Sequence, residues 1–300
     1  MNTVARQLGR VGVWAPQLRS ALWGPPDADG GQAAVRNTAT LLEELGYPAL
    51  WLPGGAGGPL FADLDAVLAS TTRVTVATGV LNIWMHSASE TAGWFATAER
   101  SHPGRVLLGL GVSHGSVIER TGQTYGKPLD AMRAYLDELE AAPQATPREA
   151  LVLAALGPKM TRLSGERSAG AHPYHVTAGH ARRMRQILGD ESLLAVELPV
   201  VLDEDPDIAR AIARSHLRPY LSMPNYTNSW RLSGFATTDL EDGGSDRLVD
   251  GLVAWGSVER IEARVQEHLD AGADHVCIQA LAPDERGPET TWAALATRLL

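Results

Sequence analysis

Short apolar runs alternate with amphipathic segments along the whole chain. The runs are rich in Val, Leu and Ala and lack polar alternation, which is typical of strands that are covered on both faces of a parallel sheet. The segments between them show helical periodicity, so the chain predicts repeated βαβ units. Eight strands are predicted, at Val11–Trp14, Ala49–Pro53, Val74–Leu81, Val106–Gly111, Leu151–Leu156, Gly170–Val176, Leu193–Leu202 and His275–Leu281. The fold class that eight such units indicate is α/β, as a TIM (β/α)8 barrel.

Several predicted helices carry recognisable start and stop signals. Gly46 follows an apolar face and is predicted to end its helix in the left-handed conformation. Asp205 followed by Pro206 predicts an N-cap and a first helical position. Ser257 is predicted to cap a later helix, which Gly272 ends. These signals place helices on the outside of the sheet.

The connection between the seventh and eighth predicted strands, residues 202–274, is far longer than an ordinary crossover. It contains helical patterns but too little apolar sequence for an independent core. We therefore expect extra helices between the seventh and eighth strands, and residues 1–300 as a single domain.

Composition and charge restrict the classes of function. Lys and Arg total 26 against 35 Asp and Glu, and the formal net charge of -9 would repel a phosphate backbone. No apolar run could span a bilayer, and Met1–Arg10 lack the apolar core of a secretory signal. We expect a cytoplasmic protein with a small-molecule substrate and no nucleic-acid or membrane partner. The single cysteine, Cys277, lies in an apolar run and is predicted to be a buried thiol.

The segment after the fourth predicted strand contains two competing motifs. Gly109, Gly111 and Gly115 miss the G-x-G-x-x-G spacing of a dinucleotide loop by one position, so that interpretation fails. The pattern G-x-S-x-G is present from Gly111, and Ser113 would then be the nucleophile of a serine hydrolase. No histidine or acidic residue is singled out by spacing as its partner. A purely structural alternative is that Ser113 and His114 cap a helix.

Small and polar residues gather where several predicted strands end. In a barrel, Ser113 and His114 lie at the carboxyl end of the fourth strand, where loops surround a ligand. Gly109 and Gly111 would let a flat ring approach the backbone closely. The same end of the predicted barrel receives Gly79, Val80, Asn82, His172 and the segment Gly157–Thr161.

The segment Gly157–Thr161 opens a helix and could hold a phosphate. Free amides and the positive end of the helix dipole attract an anion there, with Lys159 and the Thr161 hydroxyl nearby. An ordinary strand-to-helix turn with an exposed lysine is the alternative. A metal site is not expected, because His172 and His175 would point to opposite faces of a strand and no third ligand is spaced with them.

At these residues the chain resembles the luciferase-like monooxygenase superfamily, and in particular actinobacterial oxidoreductases that use the deazaflavin F420. The matching segments span nearly the whole chain in order: Leu50–Pro53, Ala77–Trp84, His102–Arg105 leading into Leu108–His114, Ala155–Met160, Gly170–Tyr174, Trp255–Gly256 and Ala271–Asp274. Each segment alone is weak, whereas together they are specific for the family.

The resemblance implies a hydride-transferring oxidoreductase that uses F420, or alternatively an FMN-dependent monooxygenase supplied by a separate flavin reductase. It also implies a non-prolyl cis peptide at Gly79–Val80, a cofactor phosphate bound by the residues Gly157, Pro158, Lys159, Met160 and Thr161, and a homodimer. Asn82, Ser113, His114 and His172 are expected to contact the cofactor. His114 is the candidate for proton transfer, because imidazole titrates near neutral pH.

Two segments of this chain depart from the family pattern. Many relatives place an acidic residue or a histidine after the second strand, where this chain has Gly54–Gly58. The exit of the third strand reads Met85–Ala88, where relatives often have an acidic residue followed by proline. A barrel that has lost cofactor binding is therefore a further alternative.

Overall fold

The computed structural model describes residues 3–22, 29–55, 58–282 and 287–300. Within these residues, eight parallel strands form a closed barrel that helices surround, so the predicted TIM-barrel fold is confirmed. The barrel strands are β1 (Val11–Trp14), β2 (Ala49–Leu52), β3 (Thr75–Thr78), β5 (Val106–Gly111), β6 (Leu151–Leu153), β7 (Gly170–Ala171), β8 (Leu193–Val201) and β10 (His275–Ala280). Two further short strands are β4 (Leu81–Asn82) and β9 (Ala254–Trp255).

The barrel closes through β10, which lies between β1 and β8. Val276 is paired with Val11 of β1, and Cys277 is paired with Glu197 of β8. Since all the barrel strands are parallel, their carboxyl ends meet at one end, which we call the mouth. The interior cluster of the barrel includes Ala5 and Leu8 of the first helix, which cover the opposite, amino end.

The helices have the boundaries that the capping signals predict. Gly46 adopts φ +95°, Asp205 accepts hydrogen bonds from the amides that follow it, Ser257 caps its helix, and Gly272 adopts φ +101°. These four predictions are confirmed. The helices are α1 (Thr3–Leu8), α2 (Asp29–Glu44), α3 (Leu60–Ser70), α4 (Ala88–Ser101), α5 (Gly115–Ile118), α6 (Pro128–Ala141), α7 (Pro158–Arg167), α8 (Ala178–Leu188), α9 (Pro206–Leu217), α10 (Pro224–Leu232), α11 (Asp246–Leu252), α12 (Val258–Asp270) and α13 (Glu289–Leu299).

Three strands differ from their predicted boundaries by more than one residue. The run Val74–Leu81 is divided, because the chain leaves the ladder between β3 and β4 at Gly79 and Val80. The sixth strand ends at Ala171, since the chain turns at His175, which has φ +56°. The fifth strand ends at Leu153 rather than Leu156. Apolar composition alone therefore overestimates strand length next to the mouth.

The extra helices between the seventh and eighth strands are confirmed, and we call residues 202–253 the insertion. It contains α9, α10 and α11, and the short strand β9 that follows pairs with the carboxyl end of β8, an element that the sequence did not predict. The insertion forms its own apolar cluster around Trp230, in which Val201 of β8 takes part. Because Leu156 and Tyr174 pack against this cluster, the insertion covers part of the mouth.

Within the described ranges, every helix is too short or too polar to traverse a lipid bilayer. Cys277 is buried, as predicted.

Candidate functional site

The mouth presents an arc of partly exposed residues that begins at β3 and ends after β7. Its members follow different strands, and the closed barrel brings them together although they are far apart in sequence. The arc consists of Gly79, Val80, Val112, Ser113, His114, Ala154, Leu156, Gly157 and Tyr174. The sequence predicted five of these residues as site residues, Gly79, Val80, Ser113, His114 and Gly157.

The third strand leaves the barrel through a cis peptide bond between Gly79 and Val80, which confirms the expectation for this bond. The Trp14 indole Nε1 donates to the Gly79 carbonyl at 2.9 Å, so the ends of β1 and β3 are joined. A Cβ at Gly79 would overlap the Trp14 ring. Asn82 is buried, donates to the Gly55 carbonyl at 3.2 Å and accepts from the Trp84 amide at 3.0 Å. Its amide group therefore ties two loops together.

The glycines of β5 serve packing rather than ligand approach. A Cβ at Gly109 would overlap the Thr78 carbonyl, and one at Gly111 would overlap the Val80 side chain. The space beside both glycines is occupied by the third strand. The expectation that they leave room for a flat ring is therefore wrong, and Val80 is the residue that covers them.

Ser113 lies in a left-handed backbone conformation with φ +57°, just before α5. Its carbonyl accepts a hydrogen bond from the Tyr125 hydroxyl at 3.2 Å. Among the described residues, no imidazole or carboxylate forms a hydrogen bond with the Ser113 hydroxyl. A serine hydrolase needs such a base within hydrogen-bond reach, so the hydrolase alternative has no support here.

His114 is bound to the insertion. Its Nδ1 lies 3.0 Å from Oδ1 of Asn225, and its ring centre is 5.5 Å from that of Tyr226. Since the Asn225 oxygen can only accept, Nδ1 carries the proton and Nε2 presents a lone pair in the neutral ring. Burial lowers the pKa of His114, and the hydrogen bond to Asn225 opposes that effect only in part. His114 is therefore a neutral acceptor at its free nitrogen.

The start of α7 is open to a ligand. Gly157 is the N-cap residue, and a Cβ placed on it would meet no atom of the described residues within 4 Å. The amides of Lys159 and Met160 are free in the first turn, where the helix dipole favours negative charge. The Lys159 side chain is exposed. These features fit the predicted phosphate position.

Thr161 requires a correction. Its side chain is buried, and its hydroxyl donates to the Gly157 carbonyl at 3.0 Å. A hydroxyl has one proton, which this bond uses. The Thr161 hydroxyl therefore stabilises the first turn of α7 and is not directed at an anion. Pro158 occupies the first helical position, where its missing N–H costs nothing.

His172 lies beneath the mouth, inside the barrel. Its ring stacks on Trp51 with 4.3 Å between centres, and its Nδ1 donates to the Ala195 carbonyl at 2.9 Å. Burial, before any other cause, lowers the pKa of His172 to about 4, so the ring is neutral. Its Nε2 is buried without a partner among the described residues and lies below Gly79.

Glu197 and His175 form a buried acid and imidazole pair that the sequence reasoning missed. Glu197 accepts from the His175 amide at 3.2 Å, and its Oε2 lies 3.5 Å from His175 Nδ1. Both side chains are fully buried. Burial raises the pKa of Glu197 well above its usual range and lowers that of His175 well below, so both are neutral. An isolated acidic residue within the apolar run Leu193–Leu202 was the available signal.

Aromatic side chains of the insertion surround His175. Tyr220 and Tyr226 lie 4.4 and 5.8 Å from its ring centre, and His216 lies 4.9 Å away. The Trp230 indole donates to the His175 carbonyl at 3.0 Å. The insertion is thus packed onto the chain segment that follows β7.

The glycine-rich loop after β2 contributes no acidic group in the described residues. A Cβ at Gly54 would lie 2.8 Å from the Val80 carbonyl, so the glycine permits the close approach of the third strand. Ala56 and Gly57 lie outside the described residues. No group of three or more His, Cys, Asp or Glu side chains in the described ranges is arranged to hold a metal ion.

Sequence comparison with known proteins finds a matching family model and several related proteins. The sequence model of the luciferase-like monooxygenase family matches residues 17–275. A putative coenzyme F420-dependent oxidoreductase of Mycobacterium tuberculosis is 30% identical over 228 residues, which cover 73% of this chain and 60% of that protein. The 5,10-methylenetetrahydromethanopterin reductase of Archaeoglobus fulgidus is 26% identical over 210 residues, 58% of this chain and 62% of that protein. The matched region thus spans about 60% of the length of these relatives.

Solved structures share the fold at low sequence identity. An F420-dependent secondary alcohol dehydrogenase in complex with an F420-acetone adduct has a TM-score of 0.72 at 14% identity, covering 97% of this chain and 98% of that one. A type II Baeyer-Villiger monooxygenase from Pseudomonas putida, in complex with FMN, has a TM-score of 0.67 at 14% identity, covering 96% of each chain.

Proposed function

Because the chain belongs to the luciferase-like monooxygenase family, we propose that it is an oxidoreductase that transfers a hydride between coenzyme F420 and a small organic substrate. The observation that carries the proposal is the open start of α7, which lies at the same mouth as the partly exposed arc from Gly79 to Tyr174. A putative F420-dependent oxidoreductase is found by sequence, and an F420-dependent alcohol dehydrogenase is found by structure. FMN remains the alternative cofactor, because a relative of the same fold binds it.

The residues of the mouth fit a cofactor with a flat ring and a phosphate tail. The amides of Lys159 and Met160, next to the open space at Gly157, would hold the phosphate. Val80, Ser113 and His114 would line the ring. A bound deazaflavin supplies the hydride chemistry, and the protein supplies orientation and a site that excludes water.

A charge placed at Gly157 tests this proposal. Gly157→Glu puts a carboxylate into the open space at the helix start, where it repels a phosphate and occupies its position. We expect F420 binding, followed by quenching of its fluorescence, to weaken at least 10-fold. Gly93→Glu is the matched control, since Gly93 lies on the outer helix α4 and also has nothing within 4 Å of its Cβ position.

Titrations with both cofactors separate the alternatives. Tight binding of F420 but not FMN supports the proposal, and hydride transfer is then measured as oxidation of reduced F420 by carbonyl compounds. Binding of FMN with oxygen consumption in the presence of a flavin reductase would indicate the monooxygenase. If wild-type protein binds neither compound, the chain is a barrel that has lost cofactor binding. A homodimer, a single domain over residues 1–300 and a cytoplasmic location remain part of the proposal.

A further inference from the structure

Tyr174 carries a hydroxyl and is one of the partly exposed residues of the mouth. It follows His172 and Pro173 after β7, and it is partly exposed. Its ring centre lies 5.4 Å from that of Trp14, whose indole holds the Gly79 carbonyl. Tyr174 is therefore next to the end of the third strand, where the proposed ring would lie.

Two hydrogen bonds fix the Tyr174 hydroxyl. It donates to Oε1 of Gln279 on β10 at 2.8 Å, and it accepts from the Tyr220 hydroxyl at 3.4 Å. Tyr220 belongs to the insertion and is itself partly exposed. The two hydroxyls thus form a short chain that runs from the outer layer to the floor of the mouth.

The surroundings keep Tyr174 in its phenol form. Burial is the main cause that raises its pKa well above the usual range. The rings in contact with Tyr174 are those of Trp14, His175, Tyr220 and Tyr226, none of which is cationic, given the low pKa of His175. Tyr174 can therefore donate a proton but does not present a negative charge.

With Nδ1 bonded to Asn225, His114 does not offer a proton at its free nitrogen. Its free nitrogen, Nε2, is an acceptor, because Nδ1 carries the proton that Asn225 accepts. A carbonyl oxygen that gains negative charge needs a donor. Tyr174 is the neutral donor on the described part of the mouth that already has a second hydroxyl behind it.

We propose that the Tyr174 hydroxyl exchanges its hydrogen bond to Gln279 for one to the substrate oxygen and donates its proton there, and that Tyr220 is the positioning residue that restores the proton. This inference rests on the proposed function. Reduced F420 would supply the hydride, which would form a C–H bond with the carbonyl carbon as the carbonyl π bond breaks toward oxygen. That oxygen forms an O–H bond with the Tyr174 proton, because an alkoxide is a stronger base than a phenolate. Tyr174 then takes a proton from Tyr220, and water in turn gives a proton to Tyr220. F420 would be left oxidised.

The test uses three tyrosine variants and an uncharged probe. Tyr174→Phe removes the donor, and Tyr220→Phe removes the hydroxyl behind it. Tyr226→Phe is the matched control, because Tyr226 packs 4.9 Å from Tyr220 and its hydroxyl makes no hydrogen bond within the described residues. The probe is 2-cyclohexen-1-one, added to protein loaded with oxidised F420 so that no turnover occurs.

Infrared spectroscopy of the probe carbonyl gives the direct readout. In wild-type and Tyr226→Phe protein, we expect the carbonyl stretch to shift to lower frequency, as a hydrogen-bonded carbonyl does. Tyr174→Phe should abolish the shift, and Tyr220→Phe should reduce it. With reduced F420, Tyr174→Phe should lower kcat at least 100-fold and change KM only a few-fold, in the range of general acid catalysis.

The outcomes separate this inference from the proposed function. If wild-type protein binds no F420, both fail together. If wild-type protein binds F420 but the probe carbonyl is not shifted, or if Tyr174→Phe retains the shift and the rate, the role of Tyr174 is overturned while the proposed function stands. Equal effects of the Tyr174 and Tyr226 substitutions would also overturn it, because they would indicate a packing defect.

Discussion

The buried polar groups at the two ends of the barrel interior differ in how completely they are hydrogen-bonded. At the amino end, His275 is fully paired, since its Nε2 accepts from Trp51 at 3.1 Å and its Nδ1 donates to the Gly9 carbonyl at 2.8 Å. Near the mouth, by contrast, five buried polar atoms on four side chains have no hydrogen-bond partner among the described residues. They are Nε2 of His172, both ring nitrogens of His175, Oε1 of Glu197 and Nε2 of His216.

The same contrast holds for two carboxyl groups. Glu43, at the end of α2, accepts hydrogen bonds from the amides of Thr72, Arg73 and Val74. Burial alone would raise its pKa, but these bonds outweigh burial and lower it. Glu197 accepts one amide bond, and burial raises its pKa. The complete hydrogen bonding of His275 and Glu43 is typical of a structural role, whereas the incomplete hydrogen bonding of His172, His175 and Glu197 near the mouth is typical of a functional site. His268, at the end of α12, departs from this contrast, because both of its buried ring nitrogens lack a partner among the described residues.

Acidification should have the largest effect on stability, because it acts on buried histidines at both ends of the barrel at once. Burial lowers the pKa of His172, His216 and His275 to about 4 from a usual value of 6.5. The unfolded chain binds protons from pH 6.5 downward and the folded chain does not, so stability is retained above pH 6.5 and lost as the pH falls through 4. Each histidine contributes on the order of 3 kcal/mol to this loss. Urea unfolding between pH 7 and pH 4 measures it.

The single substitution His275→Leu should have the next largest effect. It leaves the buried Trp51 indole N–H and the partly buried Gly9 carbonyl without partners, and an unpaired buried group costs about 1–3 kcal/mol. We expect the free energy of unfolding to fall by about 3 kcal/mol or more. His172→Leu is the matched substitution nearer the mouth and removes a single hydrogen bond, so it should cost clearly less. Equal losses in the two variants would contradict the contrast between the ends.

Substitutions of the two carboxyl groups, Glu197 and Glu43, should have the smallest effects on the free energy of unfolding, and these effects should have opposite signs. Glu197→Gln should leave the free energy of unfolding at pH 7 unchanged or raise it by about 1 kcal/mol, because folding no longer requires protonation of a buried acid. Since the folded pKa is raised, the wild-type chain loses stability relative to this variant as the pH rises above 4.5. Glu43→Gln should instead lower stability at pH 7 by about 1 kcal/mol, because charge-assisted bonds become neutral ones.

Denaturant titrations at pH 5 and pH 8 provide the measurement for Glu197→Gln, and titrations at about pH 3.5 and about pH 6 provide it for Glu43→Gln, whose window lies below pH 4.5. For Glu43, whose folded pKa is lowered, the advantage of the wild-type chain is present above pH 4.5 and disappears as the pH falls through the folded pKa. If both variants respond to pH in the same direction, the assignment of a neutral Glu197 is wrong.

The barrel, its capped helices and the insertion were predictable, because continuous apolar strands and capping residues are local signals. Gly46, Asp205 and Ser257 each specify a helix end through their own backbone or side chain. The luciferase-like family was likewise recognisable from segments that span the chain. These features depend on residues that are close in sequence.

The contacts that complete the mouth were not predictable from the sequence. Asn225 reaches His114 and Trp230 reaches His175 across 111 and 55 positions, and no local pattern encodes such pairs. The packing of Val80 against Gly111 depends on the path of the third strand, which apolar composition does not specify. Hydrophobic patterning places the strands, and specific side-chain contacts between distant segments define the site.

The bonds from Asn225 and Trp230 to the barrel also set an order of events during synthesis. A ribosome releases the chain from its amino end, so β5 and β7 emerge well before α10 can reach them. Until the insertion docks, the rings of His114 and His175 lack these partners. The nascent chain therefore completes its mouth only after α10 has emerged, about three quarters of the way along the sequence, and β10, which closes the barrel, emerges later still.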